Sequence, residues 1–374
     1  MKKRILYVIT SSGVGGAEKT LFNLLSRLNR DKYDIAGVVT LKPRGEYAGK
    51  IAALGIPIHS LNMGYLPSPG DAARLRRIIK ESGAETVHAF LYRAIQFCRH
   101  IKPNSGFRLV SSPRVNYRTR ALPLLWLDRA LKHRDDLTLC ESAASAEFLI
   151  SGLGYDSGKV RVVKNGIDTE LWAFSEKERA AVRAQFGLNE GRLLIFSNGR
   201  LDRQKGFEHL LRAFPAVAEK HPNALLAIAG RGPLEHKLRQ IALETGQADR
   251  VLFLGQRSDI RELLCACDIF ALPSLWEGLP NSLLEAMSVG RACAASAVDG
   301  TRELLEDGVS GLLTEAANSH SIAQALLRLA RDEGLRSRLG GQARLHATRE
   351  HAFAAMIAGH EAAYEACLYT ENAR

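Results

Sequence analysis

The sequence predicts an α/β protein of two doubly wound domains, each a parallel sheet between layers of helices, and three observations predict it. Short apolar runs alternate with amphipathic helical patterns along the whole chain, the spacing expected of right-handed strand–helix–strand crossovers. The alternation falls into two series, parted near Asn165-Gly166-Ile167-Asp168, a turn-forming run that leads into a polar stretch ending at Gly191. The length of 374 residues exceeds one ordinary core and suits two domains.

The first series reads as strands over residues 4–10, 35–41, 57–61, 84–89, 107–112, 136–140 and 159–163, with helical patterns such as 17–28 and 71–80 in the gaps. The second reads as strands over 192–198, 224–230, 251–255, 268–272, 292–296 and 311–314, with helical patterns such as 206–220, 234–244 and 281–289. The expected domains are therefore residues 1–168 and 169–349. An alanine-rich helix over 350–370 is placed to pack back on the first domain. Ligands of open parallel sheets sit beyond the carboxyl ends of the strands. Two such sheets imply a site in the cleft where those ends face each other.

Apolar residues at 46% and charged residues at 24% describe an ordinary globular protein. The first apolar run is too short for a secretory leader, and no stretch is long enough to cross a bilayer. The expected location is the cytoplasm, with a peripheral position at the inner face of the cell membrane. Six cysteines are scattered through apolar segments without a C-x-x-C pair, which speaks for reduced, buried thiols rather than disulfides or zinc.

Three segments carry chemistry. The first strand runs into Ser11-Ser12-Gly13-Val14-Gly15-Gly16-Ala17-Glu18, where glycines let backbone N–H groups and a helix start approach an anion or sugar. A dinucleotide site is disfavoured: the third glycine of its fingerprint falls at Glu18, and the second strand ends Val39-Thr40-Leu41 without an acid for the ribose. The first strand of the second half leads to Asn198-Gly199-Arg200-Leu201-Asp202-Arg203-Gln204-Lys205-Gly206. Arg200 and Lys205 there can hold a diphosphate at a helix start, Arg by its fork and Lys as a point charge. Both would offset the charge of a departing diphosphate. Further on, Ser274-Leu275-Trp276-Glu277-Gly278-Leu279-Pro280-Asn281-Ser282-Leu283-Leu284-Glu285 sets two carboxylates eight positions apart. Pro280 fits the first helical position, leaving N–H groups from Gly278 to Ser282 for a ligand.

Together these segments resemble the retaining glycosyltransferases of family four, which have the two-domain GT-B architecture. The E-x7-E pattern matches at Glu277 and Glu285, the diphosphate-binding pair at Arg200 and Lys205, and the glycine-rich loop at Gly13, Gly15 and Gly16. Gly230-Arg231-Gly232-Pro233, Phe253-Leu254-Gly255 and Asp299-Gly300-Thr301-Arg302-Glu303 match further. The resemblance implies catalytic roles for Arg200, Lys205 and Glu277. It implies donor contacts from Gly15, Gly16, Gly199, Gly230, Leu254, Gln256, Gly278, Leu279, Pro280, Asn281, Ser282 and Glu285, with Glu285 on the ribose and the Leu254–Gln256 segment at the base. The first domain would bind the acceptor, and the second the nucleotide sugar, a UDP-sugar by preference. Many relatives carry a sugar-facing histidine after the fifth strand. Here that stretch reads Ser112-Pro113-Arg114-Val115-Asn116, so Arg114 or Asn116 would serve, with His88 one strand earlier as a further candidate contact.

No D-x-D sequence or cluster of metal ligands is present, so no metal or other cofactor is expected, and charge compensation falls to Arg200, Lys205 and helix dipoles. The chemistry the family implies is retention, in which the acceptor hydroxyl attacks the face that the diphosphate leaves and a phosphate oxygen takes its proton. A nucleotide-sugar epimerase or a non-catalytic nucleotide-sugar-binding protein would share the donor motifs. Residues 93–134 hold ten Lys or Arg against one acid, Asp128, and include Ala121-Leu122-Pro123-Leu124-Leu125-Trp126-Leu127. Cations beside Trp and Leu suit an acidic membrane face, where a saccharide or lipid-linked acceptor would be met. No recognition module accompanies the block, so nucleic acid is not an expected partner.

Overall fold

The computed structural model describes residues 2–64, 66–114, 120–188 and 191–369. Contacts divide the chain into two compact units, Met1–Gly166 with Ala354–Arg374, and Ile167–Phe353.

The first unit holds a seven-stranded parallel sheet: β1 Lys3–Ile9, β2 Tyr33–Thr40, β3 Ile58–Ser60, β4 Thr86–Phe90, β5 Arg108–Ser112, β6 Leu137–Cys140 and β7 Val160–Val162, in the order β3-β2-β1-β4-β5-β6-β7. Alternate residues of β1 enter different cores, Ile5, Tyr7 and Ile9 on one face and Leu6 and Val8 on the other. That double burial is why the strand reads as an unbroken apolar run. The last helix, Phe353–Tyr369, belongs to this unit and packs Ala363, Tyr364 and Cys367 into the first of those cores.

The second unit holds a six-stranded parallel sheet: β8 Leu194–Asn198, β9 Leu225–Ala229, β10 Val251–Gly255, β11 Ile269–Leu272, β12 Ala292–Ser296 and β13 Leu312–Thr314, in the order β10-β9-β8-β11-β12-β13. Its β8 also feeds two cores, Ile195 on one face and Leu194 and Phe196 on the other. Each predicted strand is present within about two residues of its expected bounds. The polar stretch before Gly191 is more ordered than its composition predicts. It contains the helix Glu176–Gln185, started by the Ser175 side chain accepting from the Glu178 N–H. All six cysteines are free and buried.

The basic block is largely spoken for inside the first unit. Arg99 is almost fully buried. It donates through Nε to Asp135 at 2.8 Å and through Nη1 to Asp128 at 2.7 Å, and it also reaches the Tyr155 hydroxyl at 2.9 Å. Lys102 pairs with Asp136, Arg134 donates to the Arg99 carbonyl at 3.0 Å, and Lys132 to the carbonyls of Leu153 and Gly154. Two of the acids involved, Asp135 and Asp136, lie just past the basic stretch. Part of the block's charge is thus neutralised inside the unit.

Removing one partner from a buried ionic network leaves the others uncompensated, at a cost of about 3–5 kcal/mol. Arg99→Ala should lower the urea midpoint of the first unit accordingly. A midpoint equal to wild type would show that Asp128 and Asp135 do not depend on it.

Candidate functional site

Both sheets reverse direction of growth at one place. In the second unit this switch point lies between β8 and β11, and crevices at such points, beyond the carboxyl ends of the strands, bind ligands in doubly wound folds. The loops leaving these two strands are the segments Gly199–Gly206 and Pro273–Pro280, the ones that carry Arg200, Lys205 and Glu277.

The structure brings Lys205 and Glu277 together. Lys205 Nζ lies 2.6 Å from Glu277 Oε1, the same oxygen accepts from Ser274 Oγ at 2.6 Å, and Gln204 Nε2 donates to Oε2 at 3.3 Å. Gln204 also ties the two loops through their main chains. Its amide donates to the Trp276 carbonyl at 3.1 Å, and its own carbonyl accepts from the Leu275 N–H at 2.8 Å. Glu277 is buried, and its carboxylate is held by three groups before any ligand arrives. Sequence reasoning missed Ser274 and Gln204. Both sit within the motif segments, yet only their long-range contacts show a role.

Two glycines let these loops close up. Gly206, at φ 61° before the helix Phe207–Lys220, would place a Cβ 2.1 Å from the Pro273 carbonyl oxygen, and Gly300 would place one 1.7 Å from that of Gly278. Any side chain at either position forces the Glu277 loop away.

Arg200 stands apart from this cluster. Its side chain is 69% exposed and pairs through Nε with the Asp202 carboxylate. Gly199, Gly230 and Gly255 form a row of strand ends: Gly199 N–H donates to Ala229 at 3.0 Å, and Gly230 N–H to Gly255 at 2.7 Å. Leu254 is partly buried and Gln256 exposed on the far side of β9 from β8. The helix Asn281–Val289 has the expected bounds, but Pro280 stands just before its first helical position rather than in it. Pro280 is its N-cap, with ψ 110°, because an extended cap residue precedes the first helical turn. Leu279 and Glu285 are buried, Gly278, Asn281 and Ser282 partly so, and Ser282 Oγ is enclosed without a hydrogen-bond partner in the structure.

In the first unit the switch point lies between β1 and β4. The glycine-rich loop that leaves β1 is folded back: Ser12 Oγ accepts from the Gly45 N–H at 2.8 Å, and the Ser12 carbonyl from the Tyr47 N–H at 2.9 Å. Gly15 caps the helix Gly16–Arg27, and Ser11 donates to Glu18 in its first turn. On β4, His88 is fully buried. Its Nδ1 lies 2.8 Å from the Tyr364 hydroxyl, and its Nε2 2.8 Å from that of Ser112. Arg114, at φ 54°, sends one guanidinium nitrogen to Asn165 and another to His360 Nε2 at 3.2 Å. His360 Nδ1 lies 2.9 Å from the Met356 carbonyl, which can only accept, so Nδ1 carries the proton and Nε2 receives Arg114. Asn116 lies outside the described residues.

Two family models match the chain: "Glycosyltransferase Family 4" over residues 14–171 and "Glycosyl transferases group 1" over residues 178–346. A relative from Escherichia coli, named UDP-Gal:alpha-D-GlcNAc-diphosphoundecaprenol alpha-1,3-galactosyltransferase, is 26% identical, over 85% of this chain and 71% of its own. One from Campylobacter jejuni, named N-acetylgalactosamine-N,N'-diacetylbacillosaminyl-diphospho-undecaprenol 4-alpha-N-acetylgalactosaminyltransferase, is 28% identical, over 92% and 94%. Among solved structures, Anabaena HepE in complex with UDP and glucose superposes with a TM-score of 0.88 at 23% identity, covering 97% of this chain and 100% of that one. At that identity the likeness speaks for the fold.

Burial, then the charge of Arg114, lowers the His360 imidazole from 6.5 to about 3. Burial, then His360 and Arg114, holds His88 well below its ordinary range. Both are held neutral in the folded unit. Their contribution is therefore complete above about pH 6.5, where the unfolded rings are also neutral, and is lost as pH falls toward the folded values. Urea midpoints measured from pH 7 to pH 4 should fall, and His360→Asn should flatten part of that slope, the His88 share remaining. Coincident slopes would exclude His360 as a source.

Proposed function

Given that the chain belongs to glycosyltransferase family 4 and has its GT-B fold, we propose that it is a retaining, metal-independent enzyme. It moves a sugar from a UDP-sugar onto a glycan or lipid-linked saccharide, in the synthesis of cell-surface polysaccharide or lipopolysaccharide. The observation that carries this reading is the Lys205–Glu277 cluster at the switch point of the second sheet, which sets a cation and a buried carboxylate side by side at the strand ends.

In this reading Lys205 and Arg200 meet the diphosphate. Lys205 is held in place by Glu277, while Arg200 is exposed and turns its terminal nitrogens to the phosphate oxygens while Asp202 keeps its Nε. Glu277 contacts hydroxyls of the donor sugar with the oxygen that Ser274 and Lys205 do not occupy. Glu285 holds the ribose, and the N–H groups from Gly278 to Ser282, at a helix start, face the sugar and phosphate. The two cations balance the negative charge that grows on the leaving diphosphate. A phosphate oxygen takes the proton of the attacking hydroxyl, so no protein base is required, and front-face attack retains the anomeric configuration. The names of the Escherichia coli and Campylobacter jejuni relatives support the acceptor class: both pair a glycosyl transfer with a diphosphoundecaprenol-linked saccharide. The acceptor stands at an acidic membrane face, with the first unit serving it.

Arg200→Ala and Lys205→Ala should each lower turnover at least about tenfold, the loss of one charge-assisted contact in the transition state. Unchanged rates in both would remove the leaving-group role. UDP should raise the melting temperature, by about 2.7 kcal/mol of added stability at a hundredfold excess over Kd, and chelation with EDTA should leave the transfer rate within about twofold. Incubation with nucleotide sugars separates the alternatives: free UDP with a glycosylated acceptor marks the transferase, an epimerised donor an epimerase, and an intact donor a binding protein.

A further inference from the structure

Two helices of the second unit, Phe207–Lys220 and Ser319–Arg331, pack against each other and end near the start of β13, at the amino edge of the sheet. A cavity of about 530 Å³ lies there, with Leu312 and Leu313 of β13 in its wall, a size that suits a small ligand. Lys220 and His221 line it from the end of the first helix, and Arg328 and Arg331 from the second. On that second helix Ser321, Gln324, Arg328 and Arg331 recur every three or four positions and form one polar stripe along the cavity. Ile322, Leu326 and Leu329 fill the core from its other side.

Cations in the last turn of a helix ordinarily serve its own exposed carbonyls and negative end. Here two other arginines have taken that part. Arg250 donates to the Ala218 carbonyl at 3.0 Å, and Arg336 to those of Leu329 and Ala330 at 2.8 and 3.1 Å. Arg328, Arg331 and the His221 ring make no hydrogen bond or ion pair with the described residues, and Lys220 pairs with its neighbour Glu219 at the surface. Among the described residues the wall holds one acid, Asp307, which accepts from the Leu313 N–H at 2.8 Å. Three fixed cations outweigh that acid and the two helix ends, each about half a negative charge. Arg328 and Arg331 stand one turn apart, where like charges repel, and an anion shared between them would replace repulsion with paired hydrogen bonds.

We infer that this cavity binds a phosphate group, with Arg328 and Arg331 gripping its oxygens and Lys220 adding charge. A carboxylate has two oxygens and fills one guanidinium fork, whereas a phosphate dianion has enough for both. Gln324 offers an amide to the rest of the ligand. Ser321 accepts from the Glu315 N–H at 3.0 Å and keeps its own O–H to donate. These groups suit a hydroxylated body, so the ligand class is a sugar phosphate, which shares its head group with the free ion. The cavity is separated from the Lys205–Glu277 pair by the length of a strand, roughly 15 Å for five residues. It is therefore a second phosphate site, beyond the proposed transfer reaction.

The test titrates the full chain by calorimetry with inorganic phosphate, mannose 6-phosphate and mannose, at about 0.1 M salt. Both phosphates should bind, and mannose should not. Arg328→Ala with Arg331→Ala should weaken both at least about tenfold, through the loss of two charge-assisted contacts. Both side chains are exposed, so this variant should keep the wild-type urea midpoint. Lys205→Ala should leave binding within about twofold. Tighter binding of mannose 6-phosphate than of inorganic phosphate, reversed by Gln324→Ala, supports the site with a sugar phosphate as its ligand; equal affinity supports it with the free ion. Absence of heat with both phosphates overturns the inference, as does undiminished binding by the double arginine variant. Binding lost in Lys205→Ala alone would assign the phosphate to the donor crevice and overturn it too, and so would an equal response to sodium chloride at matched ionic strength.

Discussion

Parallel strands covered on both faces leave the chain very few places for chemistry, and this constraint governs both units. Each strand spends its side chains on two cores, as Ile195 and Phe196 do on β8, so polar function is confined to the loops at the strand ends. Crossovers lead the chain away to left and right from β8 and β11, which opens the crevice between their loops. The Lys205–Glu277 pair, joined by Ser274 and Gln204, is what these residues make of that crevice. It survives only because Gly206 and Gly300 let backbone approach backbone where a side chain would collide.

Buried charge plays the corresponding part in the first unit. Arg99 satisfies Asp128 and Asp135 away from water, and a buried ion of this kind is tolerated only when its partners are in place. The network ties the helix Tyr92–Ile101 to the helix Leu122–Leu131 and to the start of β6. Arg114 is likewise committed to Asn165 and His360, and it joins the loop after β5 to the final helix. A side chain held at both ends in this way is a poor candidate for swinging onto a sugar.

Much of this was legible in the order of residues. Strands buried on both faces announce themselves as apolar runs, and the positions of Arg200, Lys205 and Glu277 in the loops at strand ends, with Glu285 on the helix that follows, come from those runs. Other features were not legible. The helix Glu176–Gln185 buries only Val182 and Arg183 along its length, too little to raise an apolar pattern above its charged surroundings. The basic block reads as open because its run of cations ends at Arg134, one residue short of Asp135 and Asp136, two of the acids that answer it. Ser274 and Gln204 carry no motif of their own, and only their contacts reveal them.

The sequence by itself determined the elements, their order and which loops hold cations and carboxylates, because apolar periodicity and strand-end glycines are local properties. Tertiary structure decided the pairings. Lys205 meets Glu277 at a sequence separation of 72, and Arg99 meets Asp135 at a separation of 36. Whether a charge is a ligand-binding group, a buried strut or part of an exposed rim depends on which partner reaches it first. That competition is settled by packing, where the desolvation of one group is offset by a neighbour far away in the chain.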